Sequence, residues 1–143
     1  MGRCRRPVRR RTRRLDPHPP HPNRKHPLMF YEIRRYQVQP GRRDEWVRYM
    51  AEAIIPFQVS KGVSVTATFI TDDDPDGYVW IRRFDDEAQR IALNAAVYDS
   101  ERWTSQLGLQ CEQFLIPEQA TLTRVIPVSD AGLAGIEKAM GLG

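Results

Sequence analysis

The stretch SVTATFITDDDPDGYVWIRRF, residues 64–84, predicts a β-hairpin and with it the centre of the fold. Its two halves, 64–70 and 78–84, are rich in the β-branched and aromatic residues that favour strands. The segment between them, DDDPDG at 72–77, combines Asp, Pro and Gly, which are typical of turns. Two strands joined by so short a connection pair antiparallel, so we expect an antiparallel sheet.

Upstream of the hairpin, the sequence predicts a strand followed by a helix. Residues 29–38 have strand composition, and the Pro40-Gly41 pair after them is a turn signal. Residues 44–57 then show the apolar spacing of an amphipathic helix, with Pro56 marking its expected end. The apolar positions of this helix are Trp46, Met50, Ala53, Ile54 and Phe57.

Downstream of the hairpin, the sequence predicts helical segments and a last strand. Asp85 is a suitable N-cap for one helix and Ser100 for a second helical piece, which Pro117 is expected to stop. Residues 121–126 are typical of a strand. The order β-α-β-β-α-β predicts an α+β fold of the ferredoxin-like kind, with two helices on one face of a four-stranded antiparallel sheet.

Strand alternation separates the residues of the two sheet faces. We assign the more uniformly apolar set to the helix side: Tyr31, Ile33, Val65, Ala67, Phe69, Val79 and Ile81. The opposite set is assigned to the uncovered face: Phe30, Glu32, Arg34, Tyr36, Thr66, Thr68, Tyr78, Trp80, Arg82, Phe84, Leu122 and Arg124. Because a contiguous aromatic patch is typical of a contact surface, we expect a homodimer in which two such sheets meet face to face.

Three charged residues on this aromatic face have two alternative interpretations. Glu32, Arg34 and Arg82 form either an ion-pair network that fixes the register of the sheets or a pocket in which Arg34 or Arg82 receives a carboxylate or another anion. In the second case the ligand is a small acidic or aromatic molecule. The candidate ligand-binding residues are Glu32, Arg34, Tyr36, Trp80 and Arg82.

The basic residues of the chain are concentrated at its beginning. Ten of its 22 Lys and Arg residues, but only one of its 18 acidic residues, lie in residues 1–28, so the rest of the chain carries a net charge of −5. An acidic domain does not favour nucleic-acid binding. The composition divides the chain into a disordered basic tail (1–28), one compact domain (29–128) and a weakly ordered extension (129–143), with one weak helix over 130–140. Because Met29 opens the first strand, we interpret the tail as the product of a mis-assigned start codon.

The residue types present exclude several kinds of chemistry from the domain. Residues 29–143 contain no histidine, which excludes a Ser-His-Asp nucleophile, a His-ligated haem and a His-based metal site. The DDDPDG segment matches the first half of an EF-hand loop, but Arg83 occupies the position of the required Glu, so we expect a turn. We therefore expect no metal and no cofactor.

The two cysteines and the length of the apolar runs indicate the cellular compartment of the protein. Cys4 and Cys111 do not form a disulfide framework, and Cys111 is expected to be a packed thiol in a helix. The longest apolar runs are too short to span a bilayer, so no membrane partner is expected. Together these features favour a cytoplasmic protein.

Several segments, in this order and at this spacing, resemble the NIPSNAP family. They are Tyr31-Glu-Ile-Arg-Arg-Tyr36, Pro40-Gly41 with Asp44-Glu45-Trp46, Ile55-Pro56, Val79-Trp-Ile-Arg-Arg-Phe84 with Asp85 and Ala88, and Tyr98-Asp-Ser-Glu-Arg-Trp103. The resemblance covers about residues 29–127, nearly the whole predicted domain.

This resemblance implies a dimeric α/β barrel made of ferredoxin-like protomers, binding a small molecule or a partner, in a family whose bacterial members mostly lack an established activity. An alternative, implied by the wider barrel superfamily, is a cofactor-independent monooxygenase or isomerase acting on a small aromatic or polyketide-like substrate. In that case Glu32 is the acidic residue of the aromatic face that would act as the base. Many family members have Trp where this chain has Arg82, so we expect a more charged interior here.

Overall fold

A computed structural model describes residues 29–128 of the chain. The predictions for the tail (1–28), for its mis-assigned start and for the extension with its weak helix (129–143) concern residues outside this range. Within it, the element order is the β-α-β-β-α-β order that the sequence predicts. No helix in residues 29–128 combines the length and the apolar character that crossing a membrane requires.

Four strands form one antiparallel sheet: β1 (Phe30–Gln37), β2 (Ser64–Ile70), β3 (Gly77–Phe84) and β4 (Thr121–Val125). Their order across the sheet is β2-β3-β1-β4. The β2–β3 hairpin is confirmed, and Arg43 stabilises its turn by donating hydrogen bonds to the carbonyl oxygens of Thr71, Asp74 and Gly77. The acidic segment therefore forms a turn, as predicted.

The helical segments pack against one face of this sheet, and each of the two long segments contains a π-helical turn. The first comprises α1 (Arg43–Tyr49), a π-helical turn (Met50–Ile54) and α2 (Ile55–Ser60). The second comprises α3 (Glu87–Tyr98), a π-helical turn (Trp103–Leu107), α4 (Gly108–Phe114) and a short 3₁₀ helix (Pro117–Gln119).

Two predicted helix boundaries are wrong in detail. The first helix does not end at Pro56 but continues to Ser60, because the π-helical turn that ends at Ile54, two residues before the proline, widens the backbone where its ring must fit. Asp86 rather than Asp85 caps α3, with its Oδ1 accepting a hydrogen bond of 2.8 Å from the Gln89 N–H. Ser100 does cap the next helical piece, accepting from the Trp103 N–H at 3.2 Å.

The predicted assignment of the two sheet faces is wrong. The aromatic face with its charges lies beneath the helices, where Phe30, Tyr78, Trp80 and Phe84 are at most 2% exposed. Glu32 and Arg82 are buried on the same side. The apolar set centred on Ile33 and Ile81 lies on the other side of the sheet. The physical reason is that the inward charges are paired with one another, so their burial no longer carries the cost of an isolated charge.

A β-bulge divides the residues of β2 between the two faces. The register shifts between Val65 and Ala67, so Val65 lies opposite Arg82 while Ala67 lies opposite Ile81. Val65 consequently packs against the core, and Ala67 joins the uncovered side. We call the uncovered side the outer sheet face, defined by Tyr31, Ile33, Ala67, Phe69, Val79, Ile81 and Val125.

Candidate functional site

A cavity of about 380 Å³ lies between the sheet and the helices of the same protomer. β1 and β3 supply one wall, the two long helical segments supply two more, and the chain between α4 and β4 closes the rim. All three tryptophans of the chain line it. Its lining includes Arg34, Tyr36, Trp46, Trp80, Trp103 and Cys111.

A buried charge cluster, made of Glu32, Arg34 and Arg82, supports this wall. Glu32 lies directly opposite Arg82 in the β1–β3 register, and Arg34 is two residues further along β1. The Glu32 Oε1 atom accepts a hydrogen bond of 2.7 Å from Arg82 Nη2 and one of 3.1 Å from Arg34 Nε. Of the two interpretations that the sequence leaves open, the structure contains the ion-pair network, but within one protomer.

Neutral oxygen atoms satisfy most of the remaining donors of Arg82. Its Nη1 donates to Gln58 Oε1 at 2.9 Å and to the Tyr98 hydroxyl at 3.3 Å, and its Nη2 donates to Asn94 Oδ1 at 3.2 Å. Gln58, fully buried on α2, also donates to the Tyr98 hydroxyl at 3.1 Å. This network joins β3, α2 and α3, so it fixes the position of the helices over the sheet.

The charges in the cluster keep each other ionised. Burial alone would raise the pKa of Glu32, but the hydrogen bonds and charges of Arg82 and Arg34 outweigh burial and lower it. Burial would likewise lower the pKa of Arg34, but the Tyr36 and Tyr98 hydroxyls and the Glu32 carboxylate raise it. Two guanidinium groups therefore share one carboxylate, and the cluster carries one surplus positive charge.

The hydrogen-bond donors beside the cavity are only partly satisfied. In the described part of the chain, the Nε1 atom of Trp46 is buried without a hydrogen-bond partner, and that of Trp80 has only the Tyr36 hydroxyl near it, outside strict hydrogen-bond geometry. The one hydrogen bond of strict geometry that Arg34 makes to residues 29–128 uses Nε, while the Tyr36 hydroxyl lies close enough to the guanidinium group to contribute to its raised pKa. Unsatisfied buried donors are uncommon in folded proteins, so the cavity offers donors to a polar ligand beside its aromatic walls.

Both π-helical turns border the cavity. Met50 and Ile54 of the first turn line it, as do Trp103, which begins the second turn, and Gly108, which directly follows it. A Cβ atom at Gly108 would lie 2.6 Å from Trp103 Nε1, so only glycine permits this approach of the indole ring. Single π-helical turns of this kind occur frequently at functional sites.

The structure brings together most, but not all, of the predicted site residues. Arg34, Tyr36 and Trp80 line the cavity, whereas Glu32 and Arg82 lie behind its wall in the buried charge cluster. The predicted position of the pocket between two facing subunits is wrong, because these side chains point toward the helices. The sequence reasoning missed the lining residues on the helices; among these, Tyr98 and Trp103 lie in one of the segments that carry the family resemblance.

The predicted packed thiol is confirmed at Cys111. The thiol is free, half-buried and packed against the core, and it lines the cavity. Burial, with a smaller contribution from Glu112, raises its pKa to about 12.

We therefore expect Cys111 to react slowly with a disulfide reagent such as Ellman's reagent. In a Cys4→Ser background, the rate at about pH 8 should be at least about a hundredfold below that of the same variant unfolded in urea, because so little thiolate is present. The rate should rise with pH, following the thiolate. Folded and unfolded rates within a factor of about three would contradict the burial of this thiol.

Comparison with known proteins identifies the family of the chain. The sequence profile of the NIPSNAP family matches residues 31–129. A comparison with proteins of curated function found no match.

Solved structures have the same fold. A NIPSNAP-like domain protein from Burkholderia xenovorans is 20% identical with a TM-score of 0.65, and the alignment covers 73% of this chain and 90% of that one. Two NIPSNAP family proteins from Agrobacterium tumefaciens are 19% and 23% identical to this chain, with TM-scores of 0.64 and 0.61. Their alignments cover 77% and 74% of this chain, and 95% and 98% of the respective Agrobacterium chains. The second of these is described as having unknown function. Because the family profile matches most of the chain, the protein belongs to the NIPSNAP family.

Proposed function

We propose that the protein is a homodimeric small-molecule-binding protein, with one ligand in the cavity of each protomer. The observation that carries this proposal is the cavity itself, whose wall contains every tryptophan of the chain and the guanidinium group of Arg34. Its volume of about 380 Å³ is within the range of small-molecule sites, which are mostly apolar with a few placed polar groups.

The homodimer is proposed through the outer sheet face. This is the opposite face to the one that the sequence pattern favoured, since the aromatic face lies beneath the helices. The outer sheet face is apolar at its centre, with Phe69 half exposed, and a contiguous apolar surface of this kind is typical of an interface. Two ferredoxin-like protomers, each with the strand order β2-β3-β1-β4, would then form a dimeric α/β barrel.

We expect a neutral aromatic probe to bind in the cavity. Protein labelled with 5-fluorotryptophan should give three ¹⁹F resonances, from Trp46, Trp80 and Trp103. Titration with 2-naphthol should shift all three in a saturable way with one common dissociation constant, because all three indoles line the same cavity.

Two matched substitutions separate cavity binding from surface binding. Ala120 lines the rim of the cavity and Ala96 is exposed on α3 away from it, so Ala120→Phe should weaken binding while Ala96→Phe should not. Three resonances that stay unshifted, or that shift without saturation, would overturn the proposed function.

The geometry does not favour the alternative of a cofactor-independent monooxygenase or isomerase with Glu32 as base. A general base must be free to accept a proton from the substrate, and its pKa is usually raised toward neutrality. The pKa of Glu32 is lowered instead, and its Oε1 atom already accepts hydrogen bonds from two arginines. We therefore assign Glu32 the role of holding Arg34 at the cavity wall.

A further inference from the structure

The buried charge cluster leaves one positive charge uncompensated at the cavity wall. Arg34 and Arg82 share the single carboxylate of Glu32. The acidic residue that lines the cavity, Glu112, is exposed on α4, where water screens its charge. A charge beside an apolar cavity is most stable when it is paired, so an anion is the group that this wall lacks.

Arg34, rather than Arg82, is the residue that can receive this anion. Arg82 is fully buried, does not line the cavity and uses both terminal nitrogens on Glu32, Asn94, Gln58 and Tyr98. Arg34 lines the cavity, uses only Nε for Glu32, and has about a fifth of its side chain exposed. Two parallel N–H donors on a planar group match the two oxygen atoms of a carboxylate.

Aromatic rings line the same cavity as this guanidinium group. The ring centroid of Tyr36 lies 6.0 Å from that of Trp46 and 6.3 Å from that of Trp80. The Trp46 indole also presents a buried N–H group without an acceptor in the described residues. A flat apolar ring that carries oxygen atoms would therefore find both packing surfaces and hydrogen-bond donors here.

We propose that the cavity binds a small aromatic carboxylate, with its oxygen atoms on the terminal nitrogens of Arg34 and its ring against Tyr36 and Trp80. This inference rests on the proposed function, because it names the class of molecule that the cavity takes. Glu32 acts as a positioning residue that orients the guanidinium group, and Arg82 holds Glu32 in place.

The test compares two probes of matched ring and shape, one charged and one neutral. 2-Naphthoate and 2-naphthamide have the same ring and nearly the same shape, but only the first is an anion. In ¹⁹F titrations of the 5-fluorotryptophan protein, 2-naphthoate should bind about 10- to 100-fold more tightly, which is the effect expected for a hydrogen bond between charged groups.

Two arginine variants attribute this difference to one side chain. Arg34→Met keeps the length of the side chain but removes the charge, so it should reduce the affinity for 2-naphthoate to that for 2-naphthamide. Arg35→Met is the matched control, because Arg35 is next in sequence but points to the outer side of the sheet, where it pairs with Asp74 at 3.5 Å. It should change neither affinity. Circular dichroism and thermal unfolding show whether each variant is folded.

The possible outcomes separate this inference from the proposed function. The inference is overturned if the two probes bind equally, or if the preference for 2-naphthoate survives Arg34→Met in a folded protein. In either case, binding of 2-naphthol would still support the proposed function. If 2-naphthol also fails to bind, the proposed function fails and the inference fails with it. An Arg34→Lys variant that regains part of the preference would support a charge-based contact.

Discussion

Glu32→Leu is expected to lower the free energy of unfolding by about 3–5 kcal/mol, because it leaves a buried guanidinium group without a counter-charge. Glu32 is 1% exposed and Arg82 is completely buried. The other partners of Arg82 in residues 29–128 are neutral oxygen atoms, which cannot replace a carboxylate. Since domains are stable by about 5–15 kcal/mol in all, this one change should remove a large part of the stability.

A double variant and an exposed control make this prediction specific to the buried pair. Glu32→Leu combined with Arg82→Met removes both charges, and we expect it to be at least about 1 kcal/mol more stable than Glu32→Leu alone. Arg83→Met breaks the exposed ion pair with Asp85 and should cost less than about 1 kcal/mol. Urea unfolding, followed by circular dichroism at one fixed protein concentration, measures all four proteins.

The pH dependence of stability gives a second readout of the same pair. The pKa of Glu32 is lowered in the folded protein, so the carboxylate stabilises the fold above its unfolded pKa. This stabilisation should disappear as the pH falls from about 4.5 through the folded pKa of Glu32. The free energy of unfolding of the Glu32→Gln variant should therefore decrease less over this pH range than that of the wild type. A Glu32→Leu protein within about 1 kcal/mol of the wild type would contradict a structural role for the cluster.

The element order was predictable because it depends on local patterns. The alternation in residues 64–70 and 78–84 and the DDDPDG turn between them specify a hairpin without reference to the rest of the chain. The helix that contains Trp46, Met50 and Ile54 follows likewise from spacing alone. The continuation of the first helix past Pro56 was not predictable, because the spacing of apolar residues does not reveal the π-helical turn that precedes it.

The side of the sheet that the helices cover was not predictable from alternation. A period of two groups Glu32 with Arg34 and Ile33 with Arg35, but it is the same whichever group is buried. The deciding fact is that Glu32 lies opposite Arg82, 50 residues away, so that the charges neutralise each other inside. That pairing joins β1 to β3, which are not sequential strands, and its register cannot be derived from either segment alone.

The residues of the cavity were predictable only where they lie on the strands of the sheet. Arg34, Tyr36 and Trp80 were grouped correctly because they share one face of neighbouring strands. The helix-borne lining residues, such as Gln58 and Trp103, enter the site only through the packing of helices on the sheet. Their positions depend on the two π-helical turns and on Gly108, which act together only in the folded protein.

Ile33→Arg is expected to convert the proposed homodimer into a monomer. Ile33 lies at the centre of the outer sheet face, opposite Ile81 on β3 and Thr123 on β4. If two such faces pack against each other, an arginine here would bury a charge without a partner, and we expect the dissociation constant to rise at least about a hundredfold. Light scattering after size exclusion at micromolar concentration should give twice the 16.6 kDa chain mass for the wild type and the single mass for the variant.

The matched control is Ile91→Arg, which makes the same substitution on the other side of the molecule. Ile91 lies on α3 and is 55% exposed, so an arginine there remains in water whether or not the outer sheet faces are joined. It should leave the dimer intact, and both variants should keep the cavity and its response to 2-naphthol, because neither side chain lines it. A wild-type protein that is monomeric at micromolar concentration, or an Ile33→Arg protein that stays dimeric, would rule out the outer sheet face as the interface. The cavity would still stand as a site of one protomer, since every residue that forms it belongs to a single chain.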